Sequence, residues 1–122
     1  MYEYNIGVTL AKKTLARQKK YTAVIALNDL IACGVIAGLK QQKIRVPEDI
    51  SVIGFDDIPN ALMISPQLTT IRLSGTLMGQ RATQVIINSF ESQESINNIT
   101  LSVMPELVIR ESVKNIKKDK GN

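Results

Sequence analysis

The sequence predicts an α/β fold built on a parallel β-sheet. Two short, almost wholly apolar runs, at residues 22–27 and 50–54, bracket a segment, 30–42, whose apolar residues recur at helical spacing. A strand covered on both faces needs no polar side, so it reads as a continuous apolar run, whereas a helix packed on one face repeats every three to four residues. Strand, helix and strand in that order imply parallel pairing with a right-handed crossover.

The elements follow from the amino terminus. Residues 5–19 predict a helix, with Ile6, Leu10, Ala11 and Thr14 or Leu15 on one side and lysines on the other. The run 22–27, Thr-Ala-Val-Ile-Ala-Leu, predicts a strand buried on both faces. Asn28 and Asp29 follow, and Asp29 is the expected N-cap of helix 30–42. Along that helix Ile31, Val35 and Leu39 form a stripe with Ala32 and Ile36 beside it, and Gly34 and Gly38 leave room for another element to approach closely. Gln41, Gln42 and Lys43 end it, and Pro47-Glu48-Asp49 marks a turn.

The second buried strand, 50–54, runs into Phe55-Asp56-Asp57. Residues 58–67, with Pro59 and Pro66, predict a loop containing a short helical turn, and 68–71 a third strand. A long helix is expected at about 75–91, capped by Ser74, with Met78, Ala82, Val85, Ile86 and Phe90 on one face. A polar loop at 92–98 leads to two strand-like stretches, 100–104 and 106–110, separated by Pro105, which has no backbone N–H to give a sheet. The lysine-rich tail from Val113 is expected to be disordered. The chain opens on a helix where a doubly wound sheet would supply a strand first, so the expectation is that a segment upstream is missing.

Composition narrows the chemistry. With 44% hydrophobic and 21% charged residues in 122, the chain suits one globular domain or most of one. No run approaches the length of a membrane span, and the opening MYEYNIGVTL lacks a signal peptide's basic start and apolar core. Histidine is absent and Cys33 is the only cysteine, which excludes an internal disulfide, the common histidine-based triads and His-rich metal sites. Cys33 reads as a small core residue. There is no phosphate-binding glycine pattern, so no nucleotide cofactor or metal is expected. The net charge of +4 lies largely in Lys12, Lys13, Arg17, Lys19 and Lys20 and in Lys114, Lys117, Lys118 and Lys120. Without interleaved aromatic rings, these runs read as a solvated helix face and a frayed tail rather than a nucleic-acid platform.

In open α/β sheets ligands bind beyond the carboxyl ends of the parallel strands. Asn28 stands there after the first strand and Asp56 after the second; an amide and a carboxylate suit a polyhydroxylated or otherwise polar ligand. Taken alone, Asn28 reads first as a turn or cap residue, and Asp56-Asp57 as a loop start with solvated carboxylates. A catalytic or magnesium-binding acidic pair is the other reading of those two residues.

Four stretches carry a resemblance. Tyr21-Thr-Ala-Val-Ile-Ala-Leu-Asn-Asp29 resembles the P-T-A-v-x-a-x-N-D segment of LacI/GalR transcription regulators, with tyrosine where proline is usual. Val46-Pro-Glu-Asp-Ile-Ser-Val-Ile-Gly-Phe-Asp-Asp57 matches the family's v-P-e-D-i-s-v-i-G-f-D-d almost letter for letter. Pro66-Gln-Leu-Thr-Thr-Ile71 and Glu106-Leu-Val-Ile-Arg-Glu-Ser112 resemble its P-x-L-T-T-i and closing e-L-v-x-R-x-S. The four occur in the family's order and with its gaps.

The resemblance implies a periplasmic-binding-protein-like fold of two subdomains with an effector in the cleft between them and a helix-turn-helix headpiece before them. Residues 1–112 are then part of the effector-binding domain: 2–71 in the second subdomain, 72–98 a crossover segment and helix reaching toward the first, and 99–112 returning strands, with 113–122 a basic flexible tail. It further implies that Asn28 and Asp56 hydrogen-bond the effector and that Tyr2 stacks on it; Leu73 to Gly75 lie at the crossover, where Gly75 has no side chain to offer. A dimer surface is expected on helix 30–42 and loop 58–64, through Ile31, Val35, Leu62 and Met63. The implied protein is a non-enzymatic, cytoplasmic repressor or activator without a cofactor. Its effector is a sugar, a sugar phosphate, a nucleobase or a nucleoside, and it touches operator DNA only through the headpiece. The alternative is the sugar-binding component of a transporter on a similar fold, which an export signal upstream would favour.

Overall fold

The structure, a computed structural model, describes residues 2–16, 21–92 and 99–116. Its elements in order are α1 (Tyr2–Ala16), β1 (Ala23–Ile25), α2 (Asp29–Gln41), β2 (Ser51–Phe55), α3 (Asn60–Met63), β3 (Thr69–Arg72), α4 (Gly75–Ser92) and β4 (Glu106–Val108). The four strands form one sheet in the order β1-β2-β3-β4. β1 pairs parallel with β2, Ile25 opposite Ile53, and β2 pairs parallel with β3, Ile53 opposite Thr69. The predicted α/β class and the strand–helix–strand unit are therefore present. Among the described residues no helix is long and apolar enough to cross a membrane.

The chain divides into two compact units, residues 1–72 with 107–122, and residues 73–106. In the first, the core gathers Ala32, Val35, Ile36 and Leu39 of α2, Ala11 of α1, Val52 of β2, and Ala61 and Leu68 from the segment before β3. α1 crosses α2 at close range, as Gly34 promised. A Cβ on Gly34 would run into the Tyr4 carbonyl and stand 3.1 Å from the Gly7 Cα, both of them backbone that cannot move aside alone. Cys33 is buried in the same helix; burial first, and the Asp29 carboxylate second, push its thiol pKa up, so it stays a packed, neutral side chain.

Ser112 ties the sheet together from outside the strands. Its backbone carbonyl accepts from Val52 N at 2.8 Å, and its N–H donates to the Gln67 carbonyl at 3.0 Å. Its fully buried hydroxyl donates to the Val52 carbonyl at 2.6 Å and accepts from Thr69 N at 2.8 Å. The hydroxyl thus serves a carbonyl on β2 and an amide on β3, satisfying backbone groups that would otherwise be buried without partners.

Several expectations are corrected. The first helix begins earlier, at Tyr2; residues 17–20 of its predicted span, with Arg17, Lys19 and Lys20, lie outside the described residues. The run 22–27 is not a strand buried on both faces: only Ala23–Ile25 is strand, and Ile25 and Leu27 are 77% and 87% exposed. The side chains alternate: Val24 packs on the core and Ala26 is buried in it, whereas Ile25 and Leu27 point to the other face and find no cover among the described residues. With Ile6, Leu10 and Ala11 of α1 and Ile31 of α2, β1 borders an apolar groove of about 400 Å3.

Residues 100–104 form no strand; that stretch is held to α4 by Arg81, whose guanidinium donates to the Ser102 carbonyl at 2.7 Å. The expected 106–110 strand is shorter, Glu106–Val108, since Ile109 and Arg110 leave strand geometry. The tail expected to be disordered from Val113 is docked at its start, where Lys114 N donates to the Ser51 hydroxyl at 3.2 Å; residues 117–122 lie outside the described residues. α4 matches its predicted span, and Ser74 caps it, its hydroxyl accepting from Leu77 N at 3.1 Å.

Candidate functional site

The parallel pairing of β1 with β2 brings their carboxyl ends side by side. Asn28 stands three residues beyond Ile25 and Asp56 three beyond its partner Ile53, and neighbouring strands lie about 4.8 Å apart, so both side chains emerge at one end of the sheet. Asn28 is extended, at φ −153° and ψ 171°, and its Oδ1 accepts from Ile31 N at 2.9 Å. It is therefore the N-cap of α2, and the expectation that Asp29 is the cap is corrected. The cap occupies only the amide oxygen; the amide NH2 has no partner among the described residues and is left to donate.

Asp29, one residue on, turns inward. It is fully buried, accepting from the Thr70 hydroxyl at 2.5 Å and from Ile58 N at 2.9 Å. A carboxylate in the first turn of a helix also faces the positive end of the helix dipole. Gly54 makes room for it, since a Cβ there would run into the Asp29 carboxylate and the Leu68 side chain. Asp29 thus fixes the loop after β2 to β3 and to the start of α2.

That loop is unusual in its backbone. Asp56 and Asp57 both have positive φ, 109° and 56°, a region that costs a residue with a side chain roughly 1–3 kcal/mol and recurs where function demands a particular aim. Two contacts hold the conformation. Asp56 N donates to the Ile71 carbonyl at 2.8 Å, and Asp57 is gripped by two arginines, Arg72 Nε at 2.6 Å and Arg110 at 2.5 Å. Arg110 is itself fastened, donating to the Leu68 carbonyl at 2.8 Å and, from its backbone N, to the Thr69 hydroxyl at 2.9 Å. Burial pushes the Asp57 pKa up, but the hydrogen bonds and charges of Arg110 and Arg72 outweigh it and hold Asp57 below the ordinary carboxylate range. The expectation of two solvated carboxylates is thus corrected for Asp57, which is a clamp.

Asp56 is the residue of the pair left facing solvent. Its pKa is raised, first by partial desolvation and then by the charges of Asp29 and Glu3. The start of α1 lies toward the same end, because Gly7 packs against the Ile31 carbonyl in the first turn of α2. Tyr2 opens that helix and is 80% exposed. Leu73 to Gly75 fall in the second unit. Of the four residues expected at a dimer surface, Leu62 and Met63 are exposed and Ile31 is half-buried, while Val35 is in the core beneath α1 and presents no surface to a partner.

Sequence reasoning missed the work of Asp29, Arg110 and Ser112, because their partners lie 29 to 60 residues away and no local pattern announces them. The only signal was that all three belong to the motifs that carry the resemblance, Asp29 closing the first and Arg110 and Ser112 lying in the last. The solvent-facing set, an amide donor, a carboxylate and an aromatic ring, can orient hydroxyl or amino groups. It contains no nucleophile–base pair, and among the described residues no group of His, Cys, Asp or Glu could hold a metal.

A family model described as a periplasmic binding protein-like domain matches residues 2–113. The HTH-type transcriptional repressor PurR of Vibrio parahaemolyticus is 36% identical over 115 residues, which is 94% of this chain and 34% of the relative. Its namesake in Pasteurella multocida is 39% identical over 113 residues, 93% of this chain and 34% of the relative. The chain thus spans about a third of the length of these curated relatives. Among solved structures, a LacI family transcriptional regulator from Arthrobacter sp. FB24 in complex with lactose superimposes with a TM-score of 0.80 at 31% identity, over 88% of this chain and 41% of that one. Another from Enterococcus faecalis V583, with bound ribose, gives 0.78 at 26% identity over 90% and 40%.

Proposed function

This chain belongs to the periplasmic binding protein-like domain family, within the effector-binding region of LacI-type regulators, and from that premise we propose that Asn28, Asp56 and Tyr2 form one wall of its effector pocket. In this reading residues 2–71 and the returning segment to Ser112 make the second subdomain, and 72–98 carry the chain across. The effector is a small polar molecule, a sugar in the first instance. Its binding shifts the population of conformations that grip operator DNA through a headpiece outside these residues. The protein works as a cytoplasmic homodimer, with Leu62 and Met63 at the contact. The family is one of regulators, in keeping with the expectation that the chain is not an enzyme.

The observation that carries the proposal is Asp56, a solvent-facing carboxylate aimed by a strained backbone, with a half-buried neighbour, Asp57, locked by two arginines to keep it there. The Asn28 amide beside it has its NH2 unengaged among the described residues. A sugar is preferred because structural relatives at 31%, 28% and 26% identity hold lactose, cellobiose and ribose. A hydroxyl-rich ligand also matches a carboxylate that accepts and an amide that donates. The regulator is preferred to a transporter component because the curated relatives are transcriptional repressors.

The test is calorimetric titration of the full-length protein with ribose and lactose, wild type against Asp56→Ala. The expected result is binding of one of them, weakened at least about tenfold in the variant, as for loss of a charged hydrogen-bond partner, with an unchanged far-UV spectrum. Equal affinity in the variant would remove Asp56 from the site.

A further inference from the structure

At the end of α2 remote from Asn28 lies a second cleft, of about 310 Å3. Thirteen helical residues rising about 1.5 Å each put the two ends roughly 20 Å apart, so the cleft is separate from the wall described above. Its inner lining is apolar: Ile36 from the core, with Ile44, Val46 and Pro66 half-buried around it. Charged side chains stand at the exposed margin. Lys40 ends the last turn of α2, Lys43 follows with φ at 60°, and Arg45 and Glu48 come from the next loop.

The charges at this margin are not all available. Arg45 is committed to Asp49: its Nε and guanidinium nitrogen donate at 3.0 and 2.8 Å, and its backbone N at 2.9 Å. Those same bonds hold the Asp49 pKa at about 2, so the pair stays ionised and mutually neutralised. Neither Lys40 nor Lys43 has an ion-pair partner among the described residues. With Arg45 neutralised, the charged residues that line the cleft are Lys40, Lys43 and Glu48, so among the described residues its margin carries a net single positive charge. The carbonyls at the end of α2, which would repel an anion, are engaged locally: Gln42 N and Ile44 N donate to the Leu39 carbonyl, and Lys43 N to that of Lys40.

We propose that this cleft binds a small monocarboxylate with an apolar body, its carboxylate between Lys40 and Lys43 and its aliphatic or aromatic part on Ile36, Ile44, Val46 and Pro66. The volume falls at the lower end of the range for small-molecule pockets, which suits a ligand of modest size. A phosphate dianion exceeds the net charge offered, and a neutral polyol would meet an apolar lining with few groups to pair its hydroxyls.

The test is a ¹⁵N–¹H titration of the whole chain with 4-phenylbutyrate at fixed ionic strength, with 4-phenylbutanamide as the uncharged control. The expected result is saturable shifts at the amides of residues 40–46 and Ser65, weaker binding of the amide, and at least about fivefold loss of affinity in the double variant Lys40→Glu, Lys43→Glu. Both lysines are exposed, so the variant leaves the core intact. Ser65→Trp, which fills the cleft without changing its charge, is expected to abolish the shifts. Shifts centred on residues 24–27, equal affinity for acid and amide, affinity unaffected by charge reversal, or no saturation up to the probe's solubility would each overturn the proposal.

Discussion

Replacing Ser112 by alanine removes one oxygen atom and leaves the backbone that carries it docked. The hydroxyl is fully buried, donates to the Val52 carbonyl at 2.6 Å and accepts from Thr69 N at 2.8 Å. Alanine fits the same space, so no cavity larger than the lost oxygen forms and no clash arises. The cost is two backbone groups stripped of a partner where water does not reach. Each such group costs about 1–3 kcal/mol, which puts the substitution at about 3 kcal/mol. With a urea m-value of about 1.5 kcal/mol/M for a small protein, the midpoint should fall by about 2 M at an unchanged slope. The bonds from Val52 N to the Ser112 carbonyl and from Ser112 N to the Gln67 carbonyl persist in the variant, so the measurement isolates the hydroxyl. The exposed cap Ser74, replaced by alanine, sets the scale at about 1 kcal/mol. A Ser112→Ala midpoint within the range of Ser74→Ala would refute the claim that this hydroxyl joins β2 to β3.

Three further outcomes are expected. Asp29→Asn puts an NH2 where Thr70 Oγ1 or Ile58 N now donates to a carboxylate, and should cost about 2–4 kcal/mol by chemical denaturation; a loss under 1 kcal/mol would show that Asp29 does not hold the loop. Gly34→Ala should lower stability by about 1–3 kcal/mol, because α1 and α2 must part at the Tyr4 carbonyl, whereas Gly75→Ala, which meets nothing within 4 Å, should leave the melting temperature unchanged or raised; equal effects would deny the close crossing. The Asp57 pKa is depressed, so the stability its clamp contributes is fully present above the unfolded carboxylate value near 3.8 and is lost as pH falls through the lower folded value. The difference in urea midpoint between wild type and Asp57→Asn should therefore be constant from pH 7 down to about 5 and shrink only in strongly acid solution; a difference that grew on acidification would reverse the assignment.

The candidate wall was legible to different depths at different residues. Asn28 and Asp56 could be named because each follows an apolar run, and the carboxyl ends of parallel strands are where such folds present ligands. Their division of labour could not be read. Asn28 and Asp29 are both good caps by residue type, and what selects Asn28 is that Thr70 and Ile58 N claim Asp29 from across the sheet. Asp56 and Asp57 are likewise the same side chain twice. Arg72 and Arg110, 15 and 53 residues further on, make the second a clamp and leave the first in solvent.

By itself the sequence determined what is set by near neighbours along the chain: the periodicity of α2 and α4, the Ser74 cap, the glycine that lets α1 lie close, and the parallel strand–helix–strand order. The tertiary structure decided everything that depends on where a residue's partner comes from. It covered Val24 and Ala26 but, among the described residues, left Ile25 and Leu27 of the same apolar run open. It denied 100–104 a place in the sheet, put Val35 out of a partner's reach, and turned the closing Arg110 and Ser112 into the fasteners of β2, β3 and the Asp57 loop. The physical reason is that burial and hydrogen-bond satisfaction are properties of three-dimensional neighbourhoods. A local pattern states how much apolar surface or how many polar groups a segment carries, but only the packed chain settles which of them are covered, and by what.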